Sequence, residues 1–173
     1  MQTIFILRQN HRMIRVLISL KRIWIRIILC LFITMGCSHR VIVTDTWPDG
    51  KPQRSEKTMR DGHKIEYSYY PSGNLEFKAL YFNGMLDGQS EYWDDNGNIK
   101  SVSTYSAGKL HGLWRQYHPN GKIIHTVGYF HGQKDGLEIW YWENGQKKSE
   151  QYFEFDQPAS KLKRWDAHGK PLN

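Results

Sequence analysis

Glycine recurs at one spacing through most of this chain. It stands at positions 50, 73, 97, 121, 145 and 169, separated by 23 and then four times by 24 residues. Gly84, Gly108 and Gly132 form a second series at 24, and Gly88, Gly112 and Gly136 a third. Three registers with one period define a repeat unit, and internal repetition constrains architecture before any single motif does. Helix is disfavoured, because stretches free of glycine and proline in this region are about ten residues long.

Aromatic residues follow the same count. Tyr69, Trp93, Tyr117, Tyr141 and Trp165 lie four residues before the first glycine series, and Tyr81, Tyr105, Tyr129 and Phe153 lie eight after it. Pro71-Ser72-Gly73, Asp95-Asn96-Gly97, Pro119-Asn120-Gly121 and Glu143-Asn144-Gly145 read as turns, with glycine where positive φ is needed and Asn-Gly as a hairpin signal. The intervening Lys100 to Tyr105 and Ile123 to Phe130 are rich in β-branched and aromatic residues, as strands are. The pattern predicts an all-β fold: an elongated antiparallel sheet of successive β-hairpins with a 24-residue period. Equivalent rings about 10 Å apart are expected to form columns filling one face, with each unit stabilised mainly by its neighbours. Four units are well formed and each end carries a partial one, since terminal edges must resist further pairing.

Tyr117-His118-Pro119-Asn120-Gly121-Lys122, followed by Tyr129-Phe130-His131-Gly132-Gln133-Lys134-Asp135-Gly136, resembles the MORN-repeat variant of bacterial proteins. Tyr81 to Gly88 and Tyr105 to Gly112 match equally well. The resemblance covers residues 47 to 173 and implies an extended sheet used for binding or scaffolding. Many bacterial members are labelled antitoxin-like, and eukaryotic relatives are associated with membranes.

The chain has 24 Lys plus Arg against 17 Asp plus Glu. Six of the basic residues and none of the acidic ones precede residue 37, leaving 18 basic against 17 acidic from there on. A near-neutral repeat region argues against nucleic-acid binding, which places basic excess in the folded part. The early residues instead combine a basic start with an uninterrupted apolar stretch from Ile27 to Gly36, about ten residues, too short to span a bilayer as a helix and suited to a signal peptide. Met13 as the start would give a more ordinary leader length. Thr34-Met35-Gly36-Cys37-Ser38 resembles the lipobox of bacterial lipoproteins, which implies cleavage before Cys37 and acylation of that residue, palmitate included. The expected organisation is a leader at 1 to 36, a linker at 37 to 46 after the acylated cysteine, and the repeat domain at 47 to 173. In the lipoprotein family, Ser38 in place of Asp implies the outer membrane where the cell has one.

Off-register aromatics are the candidate binding residues: Tyr70, Tyr92, Trp114, Trp140 and Trp142. Each neighbours a column position, and strand alternation directs it to the other face. His111, His118, His125 and His131 crowd one stretch, but their columns hold unrelated residues and no metal site is assigned. Asp94 and Asp95 are adjacent in a turn rather than opposed across a cleft, and read as turn formers. Phosphate-loop, nucleophile-elbow and Cys-His patterns are missing from the sequence, so no catalytic residue and no cofactor is expected. The reading is a non-catalytic, membrane-anchored repeat lipoprotein of the bacterial envelope that binds a protein partner. An antitoxin or immunity protein is the alternative, and a carbohydrate-binding module a further one.

Overall fold

The computed structural model describes residues 40–172. The leader, the first three residues of the expected linker, Cys37 among them, and Asn173 lie outside them. Every regular element among the described residues is a strand: β1 (Val41–Thr46), β2 (Pro52–Thr58), β3 (Lys64–Tyr69), β4 (Leu75–Phe82), β5 (Met85–Trp93), β6 (Ile99–Ser106), β7 (Lys109–Leu110), β8 (Gly112–Tyr117), β9 (Ile123–Phe130), β10 (Gln133–Tyr141), β11 (Lys147–Glu154), β12 (Gln157–Pro158), β13 (Lys163–Trp165) and β14 (Pro171–Leu172). They make one 14-stranded antiparallel sheet whose strands follow one another in space as they do in sequence; the short β7 and β12 pair only with β6 and β11. Neighbouring strands about 4.8 Å apart make the sheet roughly 50 Å across, against about 30 Å along its longest strands. Residues 41–46 of the expected linker are not a linker. They form β1, paired with β2 from Val41↔Lys57 to Thr46↔Pro52, because Val41-Ile42-Val43 supplies β-branched side chains to a strand edge that already existed.

The turns fall on two rims and are of two kinds. On the first rim, loops such as 70–74 close with Tyr70 N–H donating to the Asn74 carbonyl at 2.9 Å and Gly73 N–H to the Tyr70 carbonyl at 2.8 Å. Gly73 sits at φ 98, so the Asn-Gly and Ser-Gly signals mark three-residue loops ending in a glycine bulge rather than two-residue turns. The second rim carries the two-residue turns, except that loop 59–63 closes in the same way as those of the first rim. Asn83-Gly84, Ala107-Gly108, His131-Gly132 and Phe155-Asp156 each place both residues at positive φ, which matches the right-handed twist of the flanking strands. The third glycine series forms no turn at all. Gly88 at φ 111 and Gly136 at φ 108 lie within β5 and β10, where the registers jump from Ala79↔Ser90 to Tyr81↔Leu86 and from Lys134↔Tyr129 to Glu138↔Val127. Each such glycine lets its strand bulge against the preceding one.

Register also separates the faces. On the front face lie Phe77, Ala79 and Tyr81 of β4, with Ser90 and Tyr92 opposite on β5, and Ser101, Ser103 and Tyr105 beyond them on β6. Trp114, Val127, Tyr129, Glu138 and Trp140 continue the same face. Tyr69, Trp93, Tyr117 and Tyr141 each follow a front-face residue in an extended strand and therefore point to the back. The two aromatic columns are thus on opposite faces, which corrects the expectation that they fill one. The cause is the bulge beside the first-rim loop of each of these hairpins, as at Ser68/Tyr69 and Trp140/Tyr141, which offsets the alternation across the hairpin. A single-layer sheet buries only the middles of its strands. Ala79, Ser90, Ser103 and Val127 are at most 3% exposed; on the front face Ala79, Ser90 and Ser103 stand side by side, and Val127 follows beyond Trp114.

Candidate binding face

Three of the five candidate aromatics share the front face. Tyr92 stands against Phe77 with ring centroids 4.5 Å apart. Trp114 meets His125 edge-on at 5.3 Å, and Trp140 stacks on the other side of that imidazole at 3.8 Å and 11°. Tyr92 and Trp140 remain 44% and 39% exposed. Burial holds the Tyr81, Tyr92 and Tyr129 hydroxyls above their ordinary titration range, so these neighbours are neutral hydroxyl groups at physiological pH.

Tyr70 and Trp142 are not part of this surface. Both lie in first-rim loops with their polar ends engaged: the Tyr70 hydroxyl donates to the Trp93 carbonyl at 2.8 Å and Trp142 Nε1 to the Trp165 carbonyl at 3.1 Å. Trp47 does the same one unit earlier, to the Tyr69 carbonyl at 3.2 Å. A second set of side chains joins adjacent loops, with Lys51 donating to the Pro71 carbonyl, Asn74 to Asp95 and Asn144 to Ala167. These residues splint the rim. A shallow groove of about 480 Å³ lies there, lined by Asn120, Lys122, Trp142, Glu143, Asn144 and Ala167.

Around Trp140 the structure assembles a cluster that sequence columns did not assign. His125 Nε2 lies 3.0 Å from Glu138 Oε1, and Lys134 Nζ reaches the same oxygen at 2.8 Å. Lys134 also sits 4.9 Å over the Phe153 ring. His125 is only 7% exposed. Its burial lowers the imidazole pKa, partly opposed by the hydrogen bond and charge of Glu138. The ring is therefore neutral at pH 7, with Nε2 donating to the carboxylate, and it serves as a flat spacer between two indoles. The available signal was that His125 replaces Phe77 and Ser101 in its column, while its partner Glu138 is 13 residues away and visible only through pairing.

The other histidines are elsewhere. His111 and His131 lie on the second rim with ring centroids 5.1 Å apart, next to Phe130, and His118 begins a first-rim loop. Among the described residues no group of three His, Cys, Asp or Glu side chains is placed to hold a metal ion. Asp94 accepts from the Asn98 side chain and from the Asn96 and Asn98 amides. The Asn98 hydrogen bonds hold its carboxyl below the usual range, as suits a turn former.

No curated protein matches this chain. Among solved structures, a crystal structure of an S. aureus TarM mutant in complex with Fondaparinux, alpha-GlcNAc-glycerol and UDP is similar over 64% of this chain and 23% of that one, at 8% identity and a TM-score of 0.39. The similarity spans less than a quarter of that chain, and it carries no argument about fold or activity. The model of the MORN repeat variant matches residues 63–83, 86–107, 110–130 and 134–154. Those four segments coincide with the regular hairpins between the atypical ends of the sheet, and this hairpin array belongs to the MORN repeat variant family.

Proposed function

We propose that this protein is a non-catalytic, lipid-anchored repeat protein of a bacterial envelope whose front face binds another protein. The observation that carries the reading is the grouping of Tyr92, Trp114 and Trp140 on one face of a single-layer sheet, with Tyr92 and Trp140 over one-third exposed. Large amphipathic rings held rigid by neighbours are the residue type that dominates binding hot spots. Here His125 and Phe77 fix the rings, so little side-chain freedom is lost when a partner docks. The adjacent Lys134–Glu138 pair supplies a polar border.

The anchor is part of the same proposal. Acylated Cys37 would stand four residues before β1, which keeps the sheet close to the membrane surface, and two or more acyl chains hold firmly where one is marginal. Two measurements test the reading. Cys37→Ala should abolish incorporation of a fatty-acid probe by the full chain; undiminished labelling removes the anchor. Cross-linking of the full chain in its own cells, with the captured partner identified and its affinity then measured, tests the face. Trp140→Ala should weaken that partner at least tenfold while the circular-dichroism spectrum stays β-rich, and equal affinity would end the assignment of the front face.

A further inference from the structure

We infer that the outer side of β1 pairs with β1 of a second copy of this chain, antiparallel, giving a closed dimer in which two sheets continue into one. The two ends of the sheet are built differently. At the far end of the described residues, β14 is Pro171–Leu172, one of them lacking an N–H; proline on an edge is an ordinary guard against further pairing. At the near end, β1 is six residues long and exposed throughout. Val41, Ile42 and Val43 are 49%, 56% and 48% exposed, and Val41-Ile42-Val43-Thr44-Asp45-Thr46 contains no proline and no lysine. Among the described residues no strand lies on the outer side of β1. The outward amide and carbonyl groups of β1, unpaired among the described residues, form a template for another strand.

The occupant follows from the strand's own sequence. A two-fold axis normal to the sheet and midway between the two copies of Ile42 sets them opposite each other and Val41 opposite Val43 of the second chain, apolar against apolar on both faces. β1 carries a register shift between Val43 and Asp45, so Thr44 and Asp45 together face a single position of a partner strand. In the two-fold arrangement that position is Arg40, and the pairing brings two Arg–Asp contacts of opposite charge to the ends of the apolar segment, an arrangement that favours strand pairing. Without the bulge, Asp45 would lie on the face opposite Arg40. Such an interface is isologous: it uses the outer side of β1 once on each copy, so this pairing by itself closes at two. A single strand pair is small beside stable interfaces of about 1,600 Å², which fits a dimer formed on the order of micromolar concentration.

The test uses the full chain in mild detergent, followed by sedimentation across a concentration series. The expected result is a monomer–dimer equilibrium that Ile42→Lys weakens at least tenfold without altering the β-rich spectrum. Register is read in a chain carrying Cys30→Ala and Cys37→Ala: Ile42→Cys should form a disulfide-linked dimer on mild oxidation. Val41→Cys should not do so alone, but should when mixed with Val43→Cys. A monomer at every concentration, a dimer indifferent to Ile42→Lys, or equal cross-linking at all three positions would each overturn the inference. These readouts concern self-association and leave the front-face proposal standing or falling on its own partner.

Discussion

At the scale of single residues, glycine acts in this protein by two different means, and substitutions separate them. Gly128 has no unusual φ, but a methyl group built on it would overlap the Asp135 carbonyl oxygen where β10 bulges across it. Gly128→Ala should cost about 2 kcal/mol or more, since backbone has to move, and urea unfolding measures it. Ala107 presents the converse case, a side chain at φ 47 in a two-residue turn whose preferred residues are Asn and Gly. Ala107→Asn should stabilise by about 0.5 kcal/mol, and no gain in the unfolding midpoint would speak against strain there. His125 adds a pH dependence. Its folded pKa lies below the unfolded value of 6.5, so the unfolded chain takes up the proton first as pH falls, and stability declines from about 6.5 downward. The carboxylates of Asp94, hydrogen-bonded to Asn98, and of Glu150, bonded to Lys147 and Lys163, lose their contribution only lower, below their unfolded values of 3.8 and 4.5. Melting curves at pH 7.5 and 5.5 should therefore show a larger drop for the parent chain than for His125→Gln. Equal drops would remove His125 as the cause.

At the scale of the element, several hairpins are tied to a neighbour at one rim or both by bonds that strand pairing does not require. On the second rim, Gly108 and Gly132 amides donate to the Leu86 and Leu110 carbonyls of the preceding unit at 2.8 Å each. On the first rim, side-chain donors such as Tyr70 and Trp142 perform the same task. Tyr70→Phe removes one such bond and leaves the Trp93 carbonyl without that donor. A loss of about 1 kcal/mol is expected, read from denaturant midpoints, with faster amide exchange confined to loops 70–74 and 94–98. Uniformly faster exchange would instead mean that the loops do not unfold as local units.

At the scale of the whole molecule, the sheet has no second layer among the described residues, and its stability is a sum over neighbouring hairpins rather than one shared core. Removing residues 98–121 joins Gly97 to Lys122 in the same repeat phase. That shortened chain should fold with an unchanged β spectrum and a lower melting temperature. Deleting a half-unit of twelve residues instead breaks the alternation of three-residue and two-residue turns and should leave an insoluble or unfolded product. If both deletions behaved alike, nearest-neighbour stabilisation would be the wrong description.

The order of strands, the all-β class and the two sets of hairpins were legible in the residues alone, because a local rule repeated at 24 carries its own register: positive φ demands glycine, and alternation demands a ring at a fixed offset. Which face each ring occupies was not legible. Tyr69 and Tyr81 are twelve residues apart, an even number, yet lie on opposite faces, because the bulge at a first-rim loop and the loop itself decide how alternation crosses a hairpin. The same reason hid the cluster of His125, Glu138 and Trp140, whose members meet only across paired strands, and split Tyr70 and Trp142 from Tyr92, Trp114 and Trp140. Sequence determined what recurs, since each turn is a property of a few consecutive residues. Tertiary structure alone decided what touches and what stays open to a partner, since contacts across strands depend on register, and register depends on every bulge between them.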